Sequence, residues 1–189
     1  MKRVGILGGT FDPPHIGHLL IAEEVKNQLD LAEVWFIPSY EPPHKRVART
    51  STTDRMNMVQ QAIASNHSFR MNTIEIDRLG KSYTFDTIKM LNDTYPDTTF
   101  YFIIGADMVE YLPKWKHIDE LMSIVTFVGV GRNGYHLQTA YPVVTLDIPM
   151  IDVSSTMIRE RIKANQSVKY LLPENVERYI KGKRLYEQA

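Results

Sequence analysis

The hydrophobic pattern of the chain alternates between short apolar runs and longer segments with helical spacing. Strands are predicted at 3–7, 33–38, 70–76, 99–105, 124–130 and 142–148, where apolar residues cluster or alternate. Apolar residues three or four apart predict helices at 21–29, 54–64, 82–95, 119–123, 154–164 and 173–182. Strands that alternate with helices predict an α/β fold, a Rossmann-like, doubly wound and mainly parallel sheet with helices on both faces.

The length of the chain and the absence of a clear internal linker predict one domain. The 189 residues contain no repeat, no low-complexity segment and no clear linker, so a single domain over 1–189 is expected. In open parallel sheets, ligands bind beyond the carboxyl ends of the strands. The turns that follow the strands are therefore where the chemistry should be sought.

Composition narrows the classes of function. Lys+Arg and Asp+Glu both number 22, so no basic excess supports binding to nucleic acid or to a membrane surface. The absence of cysteine excludes disulfides, thiolate catalysis and cysteine-based zinc sites. The first apolar run ends at Gly8, too short for a signal peptide, and no run approaches the length of a membrane span, so a cytoplasmic protein is expected. A homo-oligomer is compatible with the sequence but not specified by it.

The segment GGTFDPPHIGH, residues 8–18, lies where the first strand gives way to a helix. Gly8 and Gly9 allow a tight turn and a close approach of the backbone to a ligand, although neither G-x-G-x-x-G nor G-x-x-x-x-G-K-[ST] is present. His15 and His18 are three residues apart and would share a helix face. Two imidazoles, free amides and the positive end of a helix dipole together indicate a phosphate site. A metal site is the alternative, although a structural zinc needs four ligands and the other histidines are scattered.

A second segment, DVSSTMIRERI, predicts a helix near the end of the chain. Ser154 is a good N-cap, and Ile158 and Ile162 form an inward stripe. Ser155 and Arg159, four apart, share the adjoining face, where a hydroxyl, first-turn amides and a guanidinium suit a polyphosphate. The alternative is a capped surface helix with a solvated arginine.

Together the two segments carry a resemblance. GTFDPPHIGH resembles the H-x-G-H signature of a nucleotidyltransferase superfamily, and SSTMIR (154–159) is similar to its second signature, in the same order. SYTFDT (82–87), IIGADM (103–108) and YLPKW (111–115) resemble stretches of the bacterial nicotinate mononucleotide adenylyltransferases. The doubled glycine and the PPHK segment fit the same family, so the resemblance spans essentially the whole chain.

The resemblance implies transfer of AMP from ATP to nicotinate mononucleotide, with pyrophosphate released and Mg²⁺ carried mainly by the ATP phosphates rather than by a protein metal site. It implies catalytic roles for His15 and His18. The residues implied in binding ATP and phosphate are Gly8, Gly9, Thr10, Phe11, Lys45, Gly105, Asp107, Arg132, Ser155, Thr156 and Arg159. Those implied in binding nicotinate mononucleotide are Tyr83, Thr84, Trp115 and Lys116.

Several of these residues also have structural interpretations. Asp107 with Glu110 forms a D-x-x-E capping pattern, Thr84 could simply begin a helix, and Trp115 could anchor a loop on the core. Lys45 could belong to a solvated charge cluster. The alternative functions are adenylyl transfer to nicotinamide mononucleotide or phosphopantetheine, a non-catalytic nucleotide-binding protein on the same fold, and a histidine-metal hydrolase.

Overall fold

The computed structural model describes residues 1–41, 48, 50–131, 139–149 and 151–187. Within them, one sheet of six strands has the order β3-β2-β1-β4-β5-β6, and every neighbouring pair is parallel. This order is that of a doubly wound sheet, so the predicted fold class is confirmed. The strands are β1 Lys2–Gly9, β2 Glu33–Pro38, β3 Phe69–Met71, β4 Thr98–Gly105, β5 Thr126–Gly131 and β6 Val143–Asp147.

Helices cover both faces of the sheet. One apolar core includes Ala22, Met58, Ile158 and Val176 from four helices on the first face. The second core lies on the other face and includes Leu91 together with residues of helices that come later in the chain. The helices are α1 Ile16–Gln28, α2 Thr52–Ile63, α3 Ile74–Arg78, α4 Thr84–Thr94, α5 Ala106–Tyr111, α6 Ile118–Ile124, α7 Ser155–Lys163 and α8 Glu174–Lys183, with a 3₁₀ turn at Leu112–Lys114.

The strand predicted at 70–76 is wrong beyond its first residues. Strand β3 ends at Met71, and helix α3 begins at Ile74. The side chain of Asn72 accepts a hydrogen bond from the Ile74 amide at 3.0 Å, and the carbonyl of Thr73 accepts one from the Asp77 amide at 2.9 Å. These polar groups start a helix locally, and that competes with the alternating pattern. The short helix α3 was not predicted, and α5 was indicated only by the capping pattern of Asp107 with Glu110.

The chain reverses its winding between β1 and β4. Strand β1 pairs with β2 on one side and with β4 on the other, so the connections that leave β1 and β4 turn to opposite sides. Such a switch point opens a crevice at the carboxyl ends of the two strands. Helix α1 begins beyond the end of β1, and α5 begins directly after β4, so both helix starts face this crevice.

No helix among the described residues is long and apolar enough to cross a membrane.

Candidate active site

The loop after β1 turns at a phenylalanine rather than at a glycine. Phe11 has a left-handed backbone with a φ of 50°. Its ring is buried and lies with its centroid 5.8 Å from that of Phe36 and 5.1 Å from that of His18. A Cβ on Gly9 would stand 3.0 Å from the Phe11 ring, so glycine is needed there to make room. The predicted tight turn at the glycines is therefore wrong in detail: Gly9 supplies space, and Phe11 supplies the turn.

His15 and His18 form a stacked pair at the start of α1. His15 is the N-cap residue, with an extended backbone, and so precedes the helix rather than lying on it as predicted. Its amide donates to Nδ1 of His18 at 3.1 Å, and the two ring centroids are 3.7 Å apart. Because Nδ1 of His18 accepts a hydrogen bond, a neutral His18 ring carries its proton on Nε2. That N–H is the group which His18 can offer to a ligand.

Burial keeps His15 neutral. His15 is 8 % exposed, its Nδ1 has no hydrogen-bond partner among the described residues, and a Cβ on Gly17 would lie 3.0 Å from that atom. Desolvation lowers the pKa of His15 to about 4. At neutral pH His15 is therefore a polar, uncharged ring, able to donate a hydrogen bond but not to supply a positive charge.

The pKa of His15 predicts a pH-dependent stability. The unfolded state binds a proton near the ordinary pKa of 6.5, and the folded state only near about 4, so the free energy of unfolding should rise as pH increases through that window. The full difference is about 3 kcal/mol. Urea unfolding of the wild type and of His15→Asn between pH 4.5 and 7.5 measures it. Asparagine keeps N-cap capacity but does not titrate, so its curve should be flatter; parallel curves would contradict the prediction.

The amides at the start of α1 are not all available. The amide of Ile16 donates to the carbonyl of Leu171 at 3.1 Å, and the amide of His18 donates to the carbonyl of His15 at 3.0 Å. The prediction of free first-turn amides is therefore only partly confirmed, because two of these amides already donate within the protein. The chain between α7 and α8 occupies one of these donors.

Helix α7 brings the second predicted segment onto this loop. Its N-cap is Ser154, as predicted, whose side chain accepts from the Met157 amide. The Ser155 hydroxyl donates to the carbonyl of Pro13 at 2.8 Å. Arg159 donates from Nη1 to the carbonyl of Asp12 at 2.7 Å. The two segments, 142 and 147 residues apart at these contacts, therefore share one site. The predicted stripe is also confirmed, since Ile158 is fully buried and Ile162 packs against the same core.

The Arg159 guanidinium also contacts Thr156, and its Nε is buried. Nη2 of Arg159 donates to the Thr156 hydroxyl at 3.0 Å, whereas Nε is buried without a hydrogen-bond partner in the described part of the chain. The guanidinium is thus held in one orientation by two oxygens. A solvated surface arginine, the alternative interpretation, would not be held in this way.

The two segments predicted to bind the acceptor lie against each other. Nζ of Lys116 lies 4.7 Å from the centroid of the Tyr83 ring, and the rings of Phe85 and His117 are 4.9 Å apart. Helix α4 begins at Thr84, with Tyr83 as its N-cap, so the predicted helix start is confirmed. The first-turn amides of this helix precede its first internal hydrogen bond and are the donors that a carboxylate could use.

Trp115 is confirmed in one of its two predicted roles, that of anchoring a loop on the core. Its ring lies edge-on to Phe102, with centroids 6.0 Å apart, and to Phe127, at 5.8 Å. The ring therefore anchors its loop on the second core while remaining partly exposed. Its Nε1 is buried without a hydrogen-bond partner among the described residues.

Hydrogen bonds connect the loop after β1, through Ser39 and Tyr40, to the segment just before α4. The amide of Ser39 donates to the carbonyl of Gly9 at 2.9 Å, and the amide of the next residue, Tyr40, donates to the hydroxyl of Ser82 at 3.0 Å. Buried Glu75 accepts from the Thr87 hydroxyl at 2.8 Å. Desolvation raises the pKa of Glu75, while the hydrogen bonds from Thr87 and Ser82 oppose that rise. Glu75 was not predicted as a site residue, because its alternating segment indicated a strand.

At the end of β4, Gly105 and Asp107 lie together. Asp107 Oδ1 would stand 2.8 Å from a Cβ on Gly105, so the carboxylate folds back over this glycine and would have to move if the residue were larger. The predicted N-cap role of Asp107 is wrong, because Gly105 is the N-cap of α5 and Asp107 lies within its first turn. Two other predicted site residues, Lys45 and Arg132, lie outside the described residues. Gly8 lies within β1, and a Cβ on it would be 3.6 Å from the Phe102 ring, an ordinary contact distance.

Two buried charged side chains, of Arg55 and Asp12, were not predicted to belong to this region. Arg55 is 1 % exposed and donates from Nη1 to the carbonyl of Thr10 at 2.8 Å. Asp12 is also buried, and its carboxylate accepts hydroxyl hydrogen bonds from Thr50 and Tyr186. Asp12 stands inside the quoted H-x-G-H segment and could have been noticed. Arg55 lies in an ordinary helical pattern that carried no signal.

Comparison with known proteins agrees with this geometry. Residues 6–161 match the cytidylyltransferase-like family. A nicotinate-nucleotide adenylyltransferase of Bacillus subtilis is 50% identical over 99% of this chain and 100% of its own length. A protein of Oceanobacillus iheyensis named "Probable nicotinate-nucleotide adenylyltransferase" is 57% identical over 98% of this chain and 97% of its own.

The chain belongs to the nicotinate-nucleotide adenylyltransferases, within the cytidylyltransferase-like family. A solved structure of the Plasmodium falciparum nicotinic acid mononucleotide adenylyltransferase, complexed with NaAD, has a TM-score of 0.81 and covers 99% of this chain and 98% of its own. Its sequence identity is 20%, so this likeness supports the fold alone.

Proposed function

We propose that this chain transfers AMP from ATP to nicotinate mononucleotide in the crevice between β1 and β4, and releases pyrophosphate. The observation that carries the proposal is the contact of two distant segments at one loop: Arg159 and Ser155 of α7 bind the carbonyls of Asp12 and Pro13, three and two residues before His15. These contacts bring a hydroxyl and a guanidinium of α7 onto the loop that leads to both histidines, and such groups suit the binding of a polyphosphate.

In the proposed reaction, a phosphate oxygen of the mononucleotide attacks the α-phosphorus of ATP in line. The P–O bond to the β-phosphate breaks, and the pyrophosphate leaves with that bond's electron pair. The attacking phosphate is already ionised, so no general base is needed. The protein therefore contributes positioning and charge stabilisation. His18 donates through Nε2 to oxygens that gain charge, His15 acts as a neutral donor, and Arg159, Ser155 and Thr156 hold the polyphosphate.

Gly8, Gly9, Thr10 and Phe11 form the wall of the loop on which the phosphates would rest. The proposal assigns the ATP ribose side to Gly105 and Asp107, where a carboxylate follows the end of β4. Polyphosphate contact by Lys45 and adenine contact by Arg132 remain predictions from the sequence.

On the acceptor side, the proposal assigns the pyridine ring to the exposed part of Trp115. The acceptor's carboxylate would bind the first-turn amides around Thr84. Tyr83 and Lys116, whose ring and ammonium group already contact each other, would border this pocket.

Mg²⁺ would enter mainly on ATP. The carboxylate that precedes the histidines in the same loop, that of Asp12, already accepts hydrogen bonds from Thr50 and Tyr186 and lies buried. Mg²⁺ keeps several waters and readily uses phosphate oxygens as ligands. When bound in this way, it would supply charge neutralisation at the phosphates.

The direct test is to incubate the purified protein with ATP, Mg²⁺ and each of three acceptors, namely nicotinate mononucleotide, nicotinamide mononucleotide and phosphopantetheine. Product masses are read by mass spectrometry. The expected result is nicotinate adenine dinucleotide and pyrophosphate in equal amounts. Adenylylation of another acceptor in preference, or binding of ATP without any product, would contradict the proposal.

Arg159 provides a prediction on ATP use. Arg159→Ala should raise the apparent KM for ATP by about one order of magnitude or more, because a charge-assisted pair to phosphate is worth about 1.5–3 kcal/mol. Arg159→Lys should restore little, since a point charge does not replace a planar fork. The measurement is initial rate against MgATP concentration, with thermal unfolding followed in parallel. Arg161, an exposed residue of the same helix, serves as the matched control, and Arg161→Ala should leave the KM unchanged. An unaltered KM in Arg159→Ala would return that residue to a structural role.

A further inference from the structure

The last turn of the chain reaches back to the phosphate loop. After α8 the backbone turns at Arg184 and at Tyr186, both with positive φ, of 54° and 67°. The Leu185 amide donates to the carbonyl of Ile180 at 3.0 Å, so the turn is fastened to its own helix. The Tyr186 ring packs against the first core, and its hydroxyl donates to Oδ1 of Asp12 at 2.6 Å.

Asp12 is where four segments of the chain meet. Oδ1 accepts from Tyr186 and also from the Thr50 hydroxyl, at 2.5 Å, just before α2. The main-chain carbonyl of the same residue accepts from Arg159 of α7. Asp12 is 4 % exposed, so these contacts form out of water, where a hydroxyl bonded to a carboxylate is stronger than at the surface.

The Tyr186 hydroxyl keeps its proton here. Desolvation, together with the charge of Asp12, raises the pKa of Tyr186 well above its ordinary value. The phenol therefore stays protonated across the pH range in which the protein works. Buried Arg55, which binds the Thr10 carbonyl, lies close enough to the same carboxylate for their charges to attract.

We propose that Tyr186 is a positioning residue for adenylyl transfer: from the C-terminal turn it holds Asp12, and through Asp12 it sets the position of the H-x-G-H loop and of Arg159. This inference rests on the proposed function. Tyr186 acts through Asp12, three residues before His15, so the group that it orients is the loop that presents both histidines. A small displacement of such a loop costs more in turnover than in substrate binding, because the histidines act on charge that develops in the transition state.

The first experiment removes one oxygen atom. Tyr186→Phe keeps the packed ring and deletes only the hydroxyl. We expect kcat to fall about tenfold, with the KM values for ATP and nicotinate mononucleotide changed by less than about twofold. Thr50→Val, which removes the other hydroxyl on Oδ1 and nearly preserves the side-chain volume, should also lower kcat.

Tyr179→Phe is the matched control. Its hydroxyl, on α8, also bonds to α2: it donates to Asp54 at 2.8 Å and accepts from Asn57 at 3.0 Å. It therefore tests loosening of the same helix pair without the tie to Asp12, and kcat should stay within about twofold of wild type. Rates are measured well below the melting temperature of each variant. An equal loss of kcat in both phenylalanine variants, or no loss in Tyr186→Phe, would overturn the proposal.

A double-mutant cycle identifies the route. In an Asp12→Ala background no side-chain oxygen remains to accept from Tyr186, so adding Tyr186→Phe should reduce kcat by less than about twofold further. Two independent, multiplying losses would show that Tyr186 acts elsewhere and would overturn the proposal.

A readout without turnover separates this proposal from the proposed function. Amide hydrogen exchange of residues 9–18, followed by mass spectrometry on the ligand-free protein, should be faster in Tyr186→Phe than in wild type, and unchanged in Tyr179→Phe. If wild type makes no dinucleotide but this exchange difference appears, the proposed function fails while the tie to the loop stands. If wild type makes nicotinate adenine dinucleotide but the exchange of residues 9–18 is the same in wild type, Tyr186→Phe and Tyr179→Phe, the positioning role fails.

Discussion

His18→Ala is expected to reduce turnover by about two to three orders of magnitude while the protein remains folded. The reason is that loss of one preorganised donor to developing phosphoryl charge costs about 2.7–4 kcal/mol in the transition state. The structure sharpens this expectation, because Nδ1 of His18 is already engaged by the His15 amide at 3.1 Å. The donor that matters is therefore Nε2. The measurement is kcat under saturating MgATP and nicotinate mononucleotide.

Two further variants separate the donor from the helix start. In His18→Asn, the side-chain oxygen can replace Nδ1 as acceptor of the His15 amide, but the Nε2 donor is gone. We expect its kcat to fall as in His18→Ala, with less loss of stability. His67, an exposed histidine, is the control, and His67→Ala should match wild type. Near-normal turnover in His18→Asn would show that His18 caps the helix and does not act on phosphate.

Nicotinate mononucleotide should be used at least about a hundredfold better than nicotinamide mononucleotide, in kcat/KM at saturating ATP. A ring face on Trp115 cannot distinguish an acid from an amide. Backbone N–H donors can, because a carboxylate accepts through both oxygens, whereas the amide turns its NH₂ toward a donor. One mispaired buried group costs about 1–3 kcal/mol, and more when a charge is lost.

The structure places the expected donors at the start of α4. The Thr87 amide makes a hydrogen bond of 3.2 Å to the Tyr83 carbonyl, and the three amides before it, from Thr84 on, precede this first helical bond. Asp86 lies in the same turn, and its negative charge weakens the attraction of the helix dipole for an anion. The preference should therefore come mainly from hydrogen-bond pairing, and it should persist at high salt.

Trp115 supplies the control for this experiment. Because its ring packs on Phe102 and Phe127, Trp115→Ala would remove core contacts as well as a binding surface. Trp115→Phe keeps an aromatic face and should weaken both mononucleotides with their ratio nearly intact. Equal kcat/KM values for the two mononucleotides in wild type would contradict a carboxylate pocket and leave adenylyl transfer itself unaffected.

Local patterns in the sequence predicted most of the helices and strands, including the bounds of one strand and the N-cap of one helix. The strand at 33–38 has the predicted bounds, because its six residues are all buried and end at a proline. The N-cap at Ser154 follows from the chemistry of one side chain. The strand predicted at 70–76 was wrong because two apolar residues at alternating positions could also begin a short helix, and the choice depended on hydrogen bonds that Asn72 and Thr73 accept.

Only the tertiary structure decided the contacts between segments that are far apart in the chain. Motif order suggested that α7 meets the first loop, but not that Arg159 binds the Asp12 carbonyl or that His15 is buried enough to lower its pKa. Tyr186 lies 174 residues from Asp12, and an exposed-looking tyrosine in a polar tail carries no sign of such a partner. Periodicity and capping are local properties and can be recognised in sequence. Burial, pKa and long-range hydrogen bonds depend on which surfaces the folded chain brings together, and so they could only be known from the structure.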